Sequence, residues 1–301
     1  MGRPAGLVTG LRFKNPKADL FVPDGTSVSA AFSRTTHLCI ASHQDDIEIM
    51  AQHGISECFM RKDRWFSGVV VTDGAGSPRA GLYAGYDDER MRQVRMLEQR
   101  KAAFIGGYSV QVQLGYPSAA VKAARAAALV ADLAAVLQAA RPEVLYLHNP
   151  ADKHDTHVAV MLRSLEAVRR LPPRQRPRQV LGCEVWRSLD WLDDADKEVL
   201  PVSERPNLCS SLLGVYDSQI SGGKRYDLAA IGRRVANATY QAAHETDQDS
   251  AVIYAVDLTR LCGPGVPDLE AGVREFVSGL VRHLRTDIEC RLRRVSGEDR
   301  P

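Results

Sequence analysis

Leu38-Cys39-Ile40-Ala41-Ser42-His43-Gln44-Asp45-Asp46-Ile47-Glu48 is an apolar run that breaks directly into a histidine and a cluster of carboxylates. The same plan returns further along, where Val144-Leu145-Tyr146-Leu147 runs into His148-Asn149-Pro150-Ala151-Asp152-Lys153-His154-Asp155-Thr156-His157. Each apolar run has the length of a buried strand. In an open α/β sheet, ligands sit in the crevice outside the carboxyl ends of the strands, so two such junctions can meet there although they are distant in sequence. Histidines and carboxylates gathered in one crevice suggest a metal site.

Working outward, short apolar runs alternate with longer amphipathic ones. His37–Ala41 reads as a strand, followed by a helix to about Met60, then Phe66–Thr72 as a strand, a loop, and a helix over about 87–105. The alternation continues with strand 109–114, an alanine-rich helix over about 120–140, strand 143–147, a helix over about 156–170 and strand 180–186. Strands separated by helices imply a mostly parallel sheet with right-handed crossovers. Residues 1–34, with Pro4, Pro16 and Pro23 and no sustained periodicity, read as an irregular lead-in. Residues 35–301 then form a single domain, whose portion beyond Trp191 reads as loops and helices, notably over about 225–245 and 269–293.

The bulk composition narrows the classes. The 301 residues are 45% hydrophobic and 25% charged, which is ordinary for a globular domain of this size, and the net charge is only +2. Basic residues are interspersed with acidic ones apart from the short stretch 169–178, so there is no nucleic-acid footprint. The six cysteines are far apart and include no close pair of the kind a zinc knuckle or redox motif uses; a reducing, cytoplasmic setting is expected. The N-terminal residues lack an apolar signal core, and no stretch approaches the ~20 apolar residues of a membrane span.

In the first box, His43 and Asp46 are three residues apart in a tight turn toward a helix start and can share a cation. Asp45 lies between them and is free to stay unligated as a general base, because catalytic zinc uses three protein ligands and keeps one position for water. The second box offers His154 and His157 as a third ligand and as a hydrogen-bond donor to a developing oxyanion, with Asp152 and Asp155 to support them. A lone Asp pair at a helix start is more often a cap, and it is the recurrence of the pattern that favours a metal.

Ala41-Ser42-His43-Gln44-Asp45-Asp46-Ile47-Glu48 resembles the Ala-His-Pro-Asp-Asp-Ile/Glu-Glu box of the PIG-L/LmbE-like N-acetylglucosaminyl deacetylases, and His154-Asp155-Thr156-His157 is similar to their His-Pro-Asp-His. Val71-Thr72-Asp73-Gly74, Arg95-Met96-Leu97-Glu98 and Leu114-Gly115-Tyr116-Pro117 are similar to further family segments, in the same order along the chain. The resemblance implies a three-layer, Rossmann-like α/β/α fold and a zinc ion, or another divalent transition metal, held by His43, Asp46 and His157. It further implies Asp45 as general base, His154 facing the oxyanion, Arg95 holding substrate, and Asp73 and Gly74 lining the entrance.

Three positions depart from the family pattern: Gln44 replaces a proline, Asp155-Thr156 replaces Pro-Asp, and Ser118 stands where many members carry a sugar-contacting Asp. Asp152 or Asp155 is then left to orient His154. The expected activity is zinc-dependent removal of an N-acetyl group from a small-molecule amino sugar or glycoconjugate, with the oligomeric state open. The alternatives are hydrolysis of another ester or amide at the same site, and sugar binding without turnover. Trp186 and Trp191 are candidates for stacking on a sugar ring, although burial at a strand end is the commoner explanation.

Overall fold

The computed structural model describes residues 11–297. An eight-stranded mixed sheet is formed by β1 (Asp19–Phe21), β2 (His37–Ala41), β3 (Phe66–Thr72), β4 (Gln111–Tyr116), β5 (Val144–His148), β6 (Gln179–Cys183), β7 (Glu198–Pro201) and β8 (Val252–Asp257), in the order β1-β4-β3-β2-β5-β6-β8-β7. The centre, β4-β3-β2-β5-β6, is parallel; β1 joins one edge antiparallel, and β8 and β7 extend the other edge antiparallel.

Eleven α-helices are described: α1 (Val28–Ser33), α2 (Asp46–Met50), α3 (Gln52–Cys58), α4 (Asp88–Ile105), α5 (Ser118–Val121), α6 (Ala127–Ala140), α7 (Asp155–Arg169), α8 (Pro206–Leu213), α9 (Asp217–Ile220), α10 (Tyr226–Tyr240) and α11 (Leu269–Ser296). The pleat of β2 explains the three layers, because successive side chains point to opposite faces. Leu38 and Ile40 pack in one core with the apolar faces of α6 and α7, while Cys39 and Ala41 pack in the other with Ile47, Met50 and Ile55 of α2 and α3. With both faces covered, the central strands are buried along most of their length and mainly apolar, as parallel sheets favour, with Gln111 and Gln113 of β4 among the buried polar exceptions.

Three differences from the sequence reading have local causes. Within the expected irregular lead-in, 19–21 form an edge strand on β4 and 28–33 a short helix capped by Ser27; residues 1–10 of that lead-in lie outside the described residues. The single helix expected up to Met60 is two, because Ala51 leaves helical geometry, and the carbonyls of Glu48 and Ile49 are bonded by buried Arg234 at 2.7 and 2.9 Å. The portion beyond Trp191, read as loops and helices, also contributes β7 and β8 to the sheet.

This topology fixes where the site must be. From β2 the chain moves outward on one side to β3 and β4, then returns to place β5 on the other side of β2. The two histidine-bearing loops therefore leave adjacent strands at the point where strand order reverses, which is where open α/β sheets form their crevice.

Candidate metal centre

The ends of the three central strands are tied together before any side chain is considered for chemistry. Thr72 of β3 gives both its amide (2.9 Å) and its hydroxyl (2.8 Å) to the carbonyl of Ser42. The Ser42 amide donates to Nε2 of His148, at the end of β5, at 2.9 Å. This puts the proton of the neutral His148 ring on Nδ1. The ring is fully buried and stacks on His157 with centroids 3.9 Å apart.

Beyond Ser42 the chain turns through Asp45, whose φ of 100° lies in the region L-residues avoid, at a cost of about 1–3 kcal/mol. That turn separates the two neighbouring carboxylates. Asp46 swings back toward the histidines, its Oδ2 accepting from the His43 amide at 2.8 Å and lying 3.1 Å from His43 Nδ1 and 3.3 Å from His157 Nε2. His43 Nδ1 and His157 Nε2 are themselves 3.2 Å apart. Asp45 instead lines the adjoining cavity, and its Oδ2 is buried without a hydrogen-bond partner.

The three converging donors fit a divalent metal. Two imidazole nitrogens and a carboxylate oxygen form a nearly equilateral triangle with edges of 3.1, 3.2 and 3.3 Å. Tetrahedral ligation at about 2.0–2.1 Å per ligand requires ligand separations of about 3.3–3.4 Å. A nitrogen–oxygen donor set of this kind suits zinc and several other divalent transition metals alike. His154 offers a further nitrogen in the same cluster, within 4.8 Å of ligating atoms of His43 and His157.

Asp152 organises the second loop. Its Oδ1 accepts from the His154 amide at 2.9 Å; its Oδ2 accepts from the Trp186 amide at 3.1 Å and faces His157 Nδ1 at 3.6 Å. A carboxylate behind a ligating imidazole keeps the proton on the far nitrogen and the near one free for metal. The ring of His154 is held differently. His154 is the N-cap of α7, and its Nδ1 accepts from the Thr156 amide at 3.3 Å, which leaves Nε2 to carry the proton of the neutral ring. Asp155, the other carboxylate considered for this task, is exposed at the first position of α7.

Electrostatics separate the two aspartates further. Burial raises Asp45 well above the usual carboxylate range, and the Asp46 charge adds to this against the pull of Arg95. Burial also opposes ionisation of Asp46, but His157 and the hydrogen bond from His43 outweigh it and hold this carboxyl below its ordinary value. His154 is pushed down by burial and by the other two imidazoles.

The remaining sequence candidates sit behind the crevice. Arg95 is buried, donates to the Gly74 carbonyl and lies 3.3 Å from Gln219 Oε1, placing its charge beside Asp45. Asp73 pairs with Arg92 at 3.0 Å and lines a second, smaller cavity together with Gln44 and Gln113. Gly74 needs to be glycine: its φ is +72°, and a Cβ there would lie 2.6 Å from Gln44 Oε1. The main cavity, of about 560 Å³, is lined from this loop by Gly76, Ser77 and Pro78. It is also lined by Lys153, Trp186, Gln219, Lys224, Tyr226 and Arg233, of which Trp186 was the one the sequence offered for stacking on a sugar ring. Trp191 packs against the core beneath the sheet instead.

The fold and site together define a three-layer α/β protein with two histidines and an aspartate converging, and a second buried aspartate beside them, at the switch point of its sheet. Residues 38–168, which carry both boxes, match the family model described as "PIG-L: GlcNAc-PI de-N-acetylase". Comparison with curated protein sequences gives no match.

Among solved structures, the chain is similar to the 4-carboxy-2-hydroxymuconate hydratase GalB of Pseudomonas putida KT2440, with 15% identity, TM-score 0.55, and 74% of this chain and 96% of that one covered. It is similar to the N,N'-diacetylchitobiose deacetylase of Pyrococcus horikoshii (14%, TM-score 0.55, 77% and 88%) and to the A40926 pseudoaglycone deacetylase Dbv21 (16%, TM-score 0.54, 75% and 97%). These likenesses concern the fold, which accommodates a hydratase as well as deacetylases, so the reaction has to be argued from the site.

Proposed function

We propose that the chain is a metal-dependent hydrolase that removes an N-acyl group, acetyl in the first instance, from an amino sugar or a sugar conjugate. The observation that carries this reading is the pairing of a metal-sized donor triangle with a buried carboxylate, Asp45, that is turned out of the triangle and into the cavity. The deacetylases among the similar folds support it. A divalent cation on His43, Asp46 and His157, zinc in the simplest case, would polarise the amide carbonyl and acidify water.

The protein's own groups supply the rest. Asp45 Oδ2, which burial makes a stronger base than an ordinary carboxylate, accepts the proton of the attacking water, and the neighbouring Arg95 charge acts the other way, in favour of the carboxylate form. His154, its ring fixed by the Thr156 amide, donates from Nε2 to the oxygen that gains charge as the carbonyl carbon becomes tetrahedral. Asp45 then returns its proton to the departing amine. Trp186, with its ring centroid 6.0 Å from that of His154, offers an apolar face to a sugar ring.

The test is elemental analysis of the purified protein followed by an amine-release assay over a panel of N-acetylated sugars, beside aryl phosphates as controls. Amine release is expected to stop on chelation and return with metal. Asp45→Asn is expected to retain metal and lose turnover. Full activity in metal-free protein, or a metal-loaded protein that binds the sugars and releases no amine from any of them, refutes the reading.

A further inference from the structure

The helix α11 leaves the packed core halfway along its length. Val273, Phe276 and Leu280 bury its first half, whereas in the second half Val281, Ile288, Leu292 and Val295 are exposed, Val295 at 88%, with Leu284 half-buried among them. Successive members of this apolar set are three, four, four and three residues apart. At about 3.6 residues per turn, that spacing holds them to one narrow face of a straight helix. The anchored first half nucleates the rest, so the face is presented ready-made.

This exposed half reads nearly the same from either end. About Ile288, Val281 is matched by Val295, Leu284 by Leu292, Arg282 by Arg294, Arg285 by Arg291, and Asp287 by Glu289. Such a mirrored order has a meaning for helix pairing. When two copies of a helix meet antiparallel across a twofold axis, each residue lies level with the one equally far beyond the axis in the other copy. With the axis at Ile288, apolar residues meet only apolar ones: Ile288 its own counterpart, Leu284 Leu292 of the partner subunit, and Val281 Val295 of the partner subunit. The last described residue of the partner helix then falls level with Gly279, next to Leu280, where α11 enters the core. The free half of one copy is therefore as long as the free half it would cover.

The charges fit the same arrangement. Arg285 and Arg291 flank the apolar face at about 60° to either side, and Glu289 and Asp287 lie farther out on those same two sides. The twofold axis keeps each side with itself. Arg285 then comes within about 3 Å along the axis of Glu289 of the partner subunit, and Arg291 likewise of Asp287 of the partner subunit. Within one chain these residues already pair, Arg285 with Glu289 and Arg291 with Asp287, each at 2.7 Å. Association would join the pairs of two chains into a four-charge network along each edge. Antiparallel packing also opposes the two helix dipoles. A lipid surface needs no mirrored order, and two carboxylates beside the midpoint of the face would be repelled by anionic headgroups.

We propose that the second half of α11 is a dimerisation helix, on which a second copy of the chain packs antiparallel through Val281, Leu284, Ile288, Leu292 and Val295, with the twofold axis at Ile288.

The experiment is sedimentation of the full chain over a dilution series from ~1 to ~100 µM, the range in which a micromolar complex dissociates. A species of twice the chain mass is expected at the upper end. Ile288→Glu sets two like charges against each other at the centre of the interface and should raise the dissociation midpoint at least about tenfold, whereas Ile288→Leu should leave it nearly unchanged. Leu292→Glu, at a position 63% exposed in the single chain, gives the same reading should Ile288→Glu fail to fold. Orientation is read by oxidation in a Cys290→Ser background, which removes the exposed native thiol. Chains carrying Val281→Cys are expected to form disulfides with chains carrying Val295→Cys, and Val295→Cys chains alone are expected to form none, because the bond requires close Cβ atoms.

A single chain at every concentration overturns the proposal, and its co-sedimentation with phosphatidylserine vesicles would assign the face to a lipid surface instead. A dimer indifferent to both glutamate substitutions shows that another surface is used. Disulfides between Val295→Cys chains alone, or none in the mixed sample, overturn the antiparallel register.

Discussion

Asp152→Asn tests how the metal centre is assembled. Asp152 is buried and accepts from two amides, that of His154 at 2.9 Å and that of Trp186 at 3.1 Å, while its Oδ2 faces Nδ1 of the His157 ring at 3.6 Å. Asparagine keeps the shape and one acceptor oxygen but turns the other side into a donor, so either the His154 amide or the Trp186–His157 side meets an N–H group. It also removes the negative charge that keeps the His157 proton on Nδ1 and its Nε2 free for metal. Losing a carboxylate behind a ligating imidazole typically lowers metal affinity ~10–100-fold, or about 1.4–2.7 kcal/mol. Opposing one buried amide with a donor adds about 1–3 kcal/mol of lost stability. The assay is competition for zinc against a chromogenic chelator, with urea unfolding of metal-free protein measured separately. A variant that holds metal as tightly as the parent, in a protein no less stable, would refute the role assigned to Asp152.

His154→Ala is expected to lower kcat by ~10²–10³ with metal content unchanged, the usual cost of losing one oxyanion donor, whereas Thr156→Ala keeps the amide that orients the ring and should retain most of the activity; kcat, KM and metal analysis separate the two. Gly74→Ala is expected to cost at least about 1–2 kcal/mol from its left-handed φ, and more from the 2.6 Å approach to Gln44; pairing it with Gln44→Ala should recover the excess but not the φ penalty, as read by urea unfolding. Burial pushes His37 down to about 4, so the folded protein refuses a proton that the unfolded chain accepts near 6.5. The resulting stability is whole above pH 6.5 and is lost as pH falls toward 4, by at most about 3 kcal/mol, and the difference between parent and His37→Gln in urea midpoints from pH 7.5 to 4.5 should follow that curve. A difference that does not change with pH would show that His37 titrates normally.

What could be read from the sequence was what local pattern encodes. The apolar runs of β2, β3, β5 and β6 are continuous because each strand is covered on both faces, and both boxes follow such runs directly. The short edge strands were harder. β1 has three residues and β7 four, ending in proline, too few to show a period of two. β8, Val252–Asp257, is an apolar run of strand length, but it enters the sheet antiparallel without the helix that marks the other strands as βα units.

Side-chain direction is the other part that residue types alone do not reveal. Asp73 and Arg95 have the charges expected of an entrance and a substrate clamp, yet one pairs with Arg92 beside a second cavity and the other is sealed behind Asp45. The lining of the main cavity illustrates the converse: Lys224 and Arg233 have no motif around them, and the packing of α10 against the loop after β6 brings them to the cavity that Asp45 and His154 also line. The replacement of the usual Pro-Asp by Asp155-Thr156 raises the same issue. It removes a carboxylate from the sequence pattern, but the His154 ring is held by the Thr156 peptide N–H, a donor present at every residue except proline. A motif comparison scores that position as a loss, although the part of Thr156 that bonds the ring belongs to the backbone, so the architecture of the helix start can conserve the ring's orientation while the side chain varies.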